Sequence, residues 1–386
     1  MSQPLRVLSL ATLFPRPDQP GFGRFVARQF EALAERGDVD LTVISPIARP
    51  LLAGPPSTDT ARGYPVHYLP FATIPKLSAR WNPALIARKV LPLARKLHAE
   101  QPFDLIDAQF FYPDGPAAAR VASALGLPLS IKARGSDIHY WGTLPFARQQ
   151  MLAAAEQAGG LLAVSAALRA EMAALGMPAD RITVHYTGLD HAVFRPHPKS
   201  ETRAGLTEDL GLPADGPLVV SVGNLIPLKG QDLLIAALPS LPGARLTLAG
   251  KGSEESKLRM WAVKEGLEGR VHFLGAVLPD QLARLLSAAD AMVLPSKHEG
   301  LANVWIEALA CGTPLVITDV GGAREVVTSA AAGRLVERTP AAIAAGVREV
   351  LADPRPQAEV AAHAARFSWV ANAAQLAAHY RRIMGA

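Results

Sequence analysis

The sequence predicts an α/β fold divided into two parallel-sheet domains, and three observations predict it. Short apolar runs alternate with helical stretches along most of the chain, the order that a parallel sheet covered by helices requires. The chain has 386 residues, more than one hydrophobic core ordinarily spans and well suited to two. Residues 195–216, near the middle, are rich in proline, glycine and charge, which marks a linker.

Composition narrows the class. Hydrophobic residues make up 49% and charged residues 19% of the chain, so large interiors are available. No apolar run approaches the roughly 20 residues of a membrane span, and Met1-Ser2-Gln3-Pro4 lacks the basic start and apolar stretch of a secretory signal. The single cysteine, Cys311, excludes an intramolecular disulfide and fits a reducing cytoplasm. The net charge is +5, all of it in the first half: residues 1–198 hold 20 Lys and Arg against 15 Asp and Glu, and residues 199–386 hold 19 of each. An anionic partner of the first half, such as a membrane surface or lipid phosphate, accounts for that asymmetry, and so does chance scatter in a basic protein. No motif for nucleic acid accompanies the basic pI.

Leu5-Arg6-Val7-Leu8-Ser9-Leu10 is a first strand, apolar enough to be central. A loop rich in Pro and Gly follows, with Gly21 and Gly23 free of the Cβ that would keep backbone from a ligand. A helix over 25–36 and the strand Leu41-Thr42-Val43-Ile44 complete a strand–helix–strand opening. From Trp81 to Ala99, Ile86, Val90, Leu93 and Leu97 share one helical face, and Arg88, Lys89, Arg95 and Lys96 the other. No acidic residue occurs from Lys76 to Ala99, and Pro92 is expected to kink or interrupt the helix. Two readings stand side by side: an ordinary helix with its apolar face in the core, or a basic amphipathic helix lying on anionic lipid.

Further strands are expected at 103–108, 129–132, 161–165, 218–223, 245–249 and 271–275. The loop after the first of these holds Tyr112, and the one after the second opens into Arg134-Gly135-Ser136-Asp137-Ile138-His139. A helix is expected over 367–384.

Most of the chemistry lies in Ser296-Lys297-His298-Glu299-Gly300-Leu301-Ala302-Asn303-Val304-Trp305-Ile306-Glu307-Ala308-Leu309-Ala310-Cys311-Gly312-Thr313-Pro314. Apolar strands flank it at 291–295 and 315–318, and between them a loop turns into a helix stopped by Gly312 and Pro314. The first turn, Leu301 to Val304, offers free N–H groups and the positive end of the helix dipole, a seat for phosphate. Glu299 precedes those donors and Glu307 follows about two turns later. Carboxylates on either side of a phosphate seat suit hydroxyls at its two ends, such as those of a sugar and a ribose. Taken as two glutamates alone, they equally suit a solvated side chain and a helix ion pair.

The full string E-G-x-x-N-V-x-x-E-A-x-A-C-G-x-P resembles the E-x7-E signature of retaining glycosyltransferases of the GT-B fold, family four (group 1) type. The resemblance covers most of the chain and is tightest over 218–325. It implies two Rossmann-like domains facing across a cleft: residues 1–198 for the acceptor, residues 199–366 for a UDP- or GDP-sugar donor, and a terminal helix over 367–386 packed back onto the first domain. It implies catalytic roles for Glu299, Lys229 and Arg134. Donor contacts would come from Gly21, Gly23, Asn224, Lys229, Gly250, Gly252, Phe273, Leu274, Glu299, Gly300, Leu301, Ala302, Asn303 and Glu307, and acceptor contacts from Asp137, His139 and Tyr112. Glu299 would hold sugar hydroxyls and Glu307 the ribose.

Two positions depart from the family pattern. Asn224 stands where an Arg usually clamps the diphosphate with Lys229, and Arg134 stands where many members carry His, as in relatives of the teichuronic-acid and exopolysaccharide type. Arg134 could face the donor diphosphate or an anionic acceptor, or serve the structure; Asp137 could hold a loop or an acceptor hydroxyl. No Asp-x-Asp cluster at a strand end and no His/Cys ligand spacing implies a metal, and no cofactor is expected beyond the donor. The acceptor implied is a glycan or polyprenyl-linked sugar of a bacterial surface polysaccharide, handled in the cytoplasm or at the membrane's inner face. Other GT-B classes are a sugar-nucleotide epimerase or phosphorylase and a non-catalytic partner that has lost its clamp.

Overall fold

A computed structural model describes residues 3–50, 56–74, 78–212 and 215–385. Met1 and Ser2, Lys76 and the linker positions 213–214 lie outside them. The chain forms two compact units, one of Met1–Gly188 with Trp369–Ala386, the other of Leu189–Ser368.

The first unit is built on eight strands: β1 (Leu5–Leu10), β2 (Val39–Pro50), β3 (Ser57–Asp59), β4 (Val66–Thr73), β5 (Leu105–Ala108), β6 (Leu129–Ala133), β7 (Gly160–Ala163) and β8 (Ile182–Val184). Their order is β3-β4-β2-β1-β5-β6-β7-β8. All pairs are parallel except β3 with β4. β1 runs beside both β2 and β5, with Val7 level with Leu41 and Leu105, so the chain winds away from it in two directions. β5, β6 and β7 are buried along their whole length, as strands covered on both faces must be.

The second unit repeats the scheme with β9 (Leu218–Val222), β10 (Arg245–Ala249), β11 (Val271–Gly275), β12 (Ala291–Leu294), β13 (Leu315–Thr318) and β14 (Gly333–Val336). The order is β11-β10-β9-β12-β13-β14, all parallel. Winding reverses between β9 and β12. In open α/β sheets the crevice at such a reversal, beyond the carboxyl ends of the strands, is where ligands bind.

Several expectations are corrected. The helix Asn82–Glu100 runs unbroken through Pro92. That proline is exposed, and it leaves only the Arg88 carbonyl without a helical donor, where water can reach it. Ile86 and Val90 of this helix are buried in the unit's own core, while Arg88, Lys89, Arg95 and Lys96 are exposed. Part of the apolar face is thus covered by protein, while Leu93 and Leu97 are half-buried. Residues 195–216 are not an open linker, because Lys199–Leu210 is a helix; Arg203 Nε donates to the Ala288 carbonyl at 2.9 Å. The division also falls ten residues before the expected 198/199 boundary. The Ser287 hydroxyl donates to the Arg195 carbonyl at 3.2 Å and accepts from the His197 N–H at 3.3 Å, fastening this stretch to the second unit.

The helix Trp369–Met384 belongs to the first unit. Polar bonds lock it under the sheet: Asn372 Nδ2 donates to the Tyr186 carbonyl at 2.6 Å, and the Asn372 carbonyl accepts from His185 Nε2 at 2.9 Å. That bond leaves His185 Nδ1 as an acceptor, which the buried Lys132 ammonium fills at 2.8 Å.

Candidate active site

The loops that follow β9 and β12 meet at the reversal of the second sheet. Two kinds of bond sew them together. The Lys297 N–H donates to the Leu228 carbonyl at 2.8 Å, and Arg338 reaches both loops at once, through Nε to the Pro295 carbonyl at 2.9 Å and Nη2 to the Pro227 carbonyl at 3.1 Å. Across this seam the Lys229 ammonium donates to Glu299 Oε1. The same oxygen accepts from the Ser296 hydroxyl at 2.6 Å. The side chains of Lys229 and Glu299 are only 17% and 11% exposed, so solvent screens the pair poorly.

Behind Glu299 stands the turn Gly321-Gly322. The Gly322 N–H donates to the Gly300 carbonyl at 2.8 Å. Gly321 has φ +50°, and a Cβ there would lie 2.0 Å from the Glu299 carbonyl oxygen. Only glycine meets both conditions, so this turn fixes the backbone on which Glu299 rides.

The helix Asn303–Ala310 starts immediately beyond, with Ala302 as its N-cap and no side chain capping it. Among the described residues, the N–H groups of Ala302, Asn303 and Val304 meet no protein acceptor. Leu301 and Trp305 anchor the turn in the core at 7% and 0% exposure. Glu307 follows on the same helix, half-buried. Lys229 and Glu299 therefore meet just ahead of a helix N-terminus, and Glu307 lies further along that helix. Positive charge and directed N–H groups there suit a diphosphate, and carboxylates suit hydroxyls.

The remaining donor-side residues take different places. Asn224 is exposed beside Lys229, with its carbonyl accepting from Gln231 Nε2 at 3.2 Å. Gly250 and Gly252 serve close packing: a Cβ on Gly250 would lie 1.9 Å from the Gly223 carbonyl oxygen, and one on Gly252 2.1 Å from that of Leu225. Phe273 and Leu274 are half-buried on β11, the edge strand, and Arg259 lies over the Phe273 ring at 4.2 Å. Cys311 is buried, and burial pushes its thiol up to about 12.

In the first unit, Gly21 and Gly23 lie in the loop after β1. Gly21 is exposed. Gly23 has φ +63° and abuts the Leu13 backbone, 2.5 Å from where its Cβ would be. Of the acceptor-side residues, Asp137 is fully buried and accepts from the N–H groups of Phe111 at 2.8 Å, Arg134 at 3.0 Å and Gly135 at 2.7 Å. It holds the loop together. Tyr112 is buried, its hydroxyl donating to the Ala79 carbonyl at 2.7 Å, and is not open to an acceptor. His139 Nε2 lies 2.6 Å from Glu171 Oε2. Arg134 is half-buried, its Nε donating to the Gln109 carbonyl at 2.7 Å.

Ser296 and Gln109 were not among the residues expected from sequence. Ser296 stands three residues before Glu299, a spacing that puts a hydroxyl within reach of a carboxylate; Gln109 carries no local signal.

Two solved structures share this architecture. Sucrose-phosphate synthase from Thermosynechococcus elongatus aligns with a TM-score of 0.80 at 22% identity, over 98% of this chain and 99% of that one. HepE of Anabaena, in complex with UDP, aligns at 0.75 and 24%, over 97% and 99%. The fold is GT-B. Two family models match the chain, "Glycosyltransferase Family 4" over residues 21–193 and "Glycosyl transferases group 1" over residues 203–367. The chain belongs to the group 1, family 4 glycosyltransferases. D-inositol 3-phosphate glycosyltransferase of Mycolicibacterium smegmatis is 36% identical over 212 residues, 53% of this chain and 48% of that protein. Its counterpart in Mycobacterium bovis is 37% identical over 223 residues, 54% and 45%. The match spans about half the length of each curated relative.

Proposed function

We propose that this protein transfers a hexose-type sugar from a nucleotide-sugar donor to a glycan or lipid-linked acceptor in the synthesis of a bacterial surface or extracellular polysaccharide. The observation that carries the reading is the Lys229–Glu299 pair beside the open N–H groups of Ala302, Asn303 and Val304. The diphosphate sits on those N–H groups and on Lys229, which stabilise the charge that grows as the glycosidic bond breaks. Glu299 orients sugar hydroxyls and Glu307 the ribose. Such a site is metal-independent in operation, because an ammonium and a helix N-terminus supply the positive charge. Family membership supports retention of anomeric configuration, with the leaving phosphate assisting attack on its own face. UDP is favoured over GDP because HepE, of the same fold, binds UDP.

The first half's positive charge suits work at the inner face of a membrane. No helix among the described residues is long and apolar enough to cross one. The exposed basic face of the helix Asn82–Glu100, next to Trp81 at 58% exposure, supports a salt-sensitive contact with anionic lipid. Asn224 favours a second reading, a binding partner without turnover, since it leaves the clamp one cation short. A thermal-shift panel of UDP-, GDP- and ADP-sugars with their free diphosphates tests the proposal: a ligand bound only to the native state raises Tm. Stabilisation by one nucleotide family is expected. Sugar release from that donor separates an enzyme from a binding partner.

A further inference from the structure

Arg134 is a cation whose hydrogen bonds go to a neutral residue. Its Nε donates to the Gln109 carbonyl at 2.7 Å and its Nη2 to Gln109 Oε1 at 2.5 Å. The guanidinium carbon lies 4.8 Å from the centre of the Phe25 ring. No ion pair links it to a carboxylate among the described residues, and the three nearest acids spend their hydrogen bonds elsewhere, although Asp107 Oδ1 has no partner of its own. Asp137 is taken by three main-chain N–H groups, Asp107 by Ser9 at 2.9 Å and Gln109 at 2.6 Å, and Asp114 by Thr12 at 2.7 and 2.9 Å. Burial lowers the guanidinium pKa to about 10, which leaves it charged at neutral pH. Of the five N–H donors of an arginine, two are used in these bonds and three are left over.

The residue that aims Arg134 is itself fixed. Gln109 is fully buried. Its Nε2 donates to Asp107 Oδ2 at 2.6 Å, and its Oε1 also accepts from Gln29 Nε2 at 2.9 Å. Gln29 in turn accepts from Lys132 Nζ at 2.8 Å. An amide in this position orients the guanidinium without neutralising it; a carboxylate there would satisfy the arginine internally.

We propose that Arg134 is the seat of an oxyanion, phosphate or carboxylate, carried by the acceptor, and that Gln109 is its positioning residue. Assignment to the acceptor rests on the transferase reading above, in which the second unit holds the donor. The seat is an oriented, unneutralised fork at the carboxyl end of β6, where a planar guanidinium can take an oxyanion in two-pronged fashion.

Inorganic phosphate, compared with chloride at matched ionic strength and with saturating UDP filling the donor seat at Lys229, is the probe, read by thermal shift and by titration of the full chain. Phosphate should raise the Tm of the wild type, and Arg134→Gln should abolish that rise while keeping the far-UV circular dichroism of the parent. Gln109→Glu should abolish it too, by supplying the guanidinium with an internal anion. Arg134→Lys keeps the charge but cannot fork across Gln109, so it should lose most of the rise; this variant judges Gln109's role if Gln109→Glu does not fold. UDP affinity should stay within about twofold in all of them. A phosphate response that survives in Arg134→Gln overturns the seat. A full response in Arg134→Lys overturns the positioning role. A drop of about tenfold in UDP affinity reassigns Arg134 to the donor and overturns the acceptor claim. If the wild type binds no UDP, the transferase reading fails, and the acceptor assignment with it, while the phosphate arm still decides whether the seat exists.

Discussion

The ammonium of Lys229 and the carboxylate of Glu299, seventy residues apart in sequence, are hydrogen-bonded across the reversal of the second sheet. The Ser296 hydroxyl shares the same carboxylate oxygen. Sequence places one partner after β9 and the other after β12; topology makes those two strands neighbours. Lys229 is therefore aimed by Glu299 before any diphosphate arrives.

Lys229→Met should weaken binding of the nucleoside diphosphate by about tenfold or more, the worth of a charge-assisted hydrogen bond. Isothermal titration with the diphosphate measures it. The melting temperature should fall as well, because the poorly screened Glu299 carboxylate loses its cation and keeps only the Ser296 hydroxyl.

Gly321→Ala should disturb the site without touching any candidate binding group. The new carbon meets the Glu299 carbonyl oxygen at 2.0 Å and the backbone sits at φ +50°. A cost of about 1–3 kcal/mol is expected from strain of this kind, together with loss of turnover. Chemical denaturation and a donor-hydrolysis assay read the two effects separately.

Much of this was legible in the sequence because it is written locally. The short apolar runs that become β1, β5 to β7, β9, β10, β12 and β13 suit buried parallel strands, and the string from Glu299 to Pro314 carries its spacing within one loop and helix. What sequence did not show is long-range. Gln109 reaches Arg134 from a different loop, and nothing near either residue announces it. The helix Lys199–Leu210 hid in a stretch where Pro198 and Gly211 bound it and Gly205 interrupts its pattern from within. The edge strand β3 and its neighbour β4 went unassigned because their pattern competes with a proline-rich surrounding. Pro92 misled in the other direction: on an exposed helix face it costs one hydrogen bond that water replaces.

Acid should loosen the terminal helix. Burial, with the charges of Arg382 and Lys132, lowers the His379 pKa to about 3, and His185 is depressed in the same direction by burial and Lys132. Both imidazoles are neutral in the folded chain, whereas the unfolded chain takes up protons below about pH 6.5. Stability is therefore unaffected above that pH and falls as pH drops from about 6.5 towards 3, by roughly 1.4 kcal/mol per pH unit for His379, with His185 acting in the same direction. The slope of Tm against pH over that window should be shallower in His379→Gln. An unchanged slope contradicts the assignment.

Cys311 should be inert. It is buried and its thiol is pushed up to about 12, so little thiolate exists near neutrality. Iodoacetamide at pH 8 should leave the native chain unmodified by mass spectrometry and label it once in denaturant.

The most direct measurement is sugar transfer, or donor hydrolysis without acceptor, by Glu299→Gln beside the wild type, on the nucleotide sugar that stabilises the protein. The substitution keeps the side chain's shape and one acceptor for Ser296 and Lys229, so the melting temperature should hold. The account predicts a fall in kcat of about a hundredfold or more with the nucleotide still bound. Turnover near that of the wild type would show that Glu299 does not handle the donor sugar, and the site would have to be drawn elsewhere.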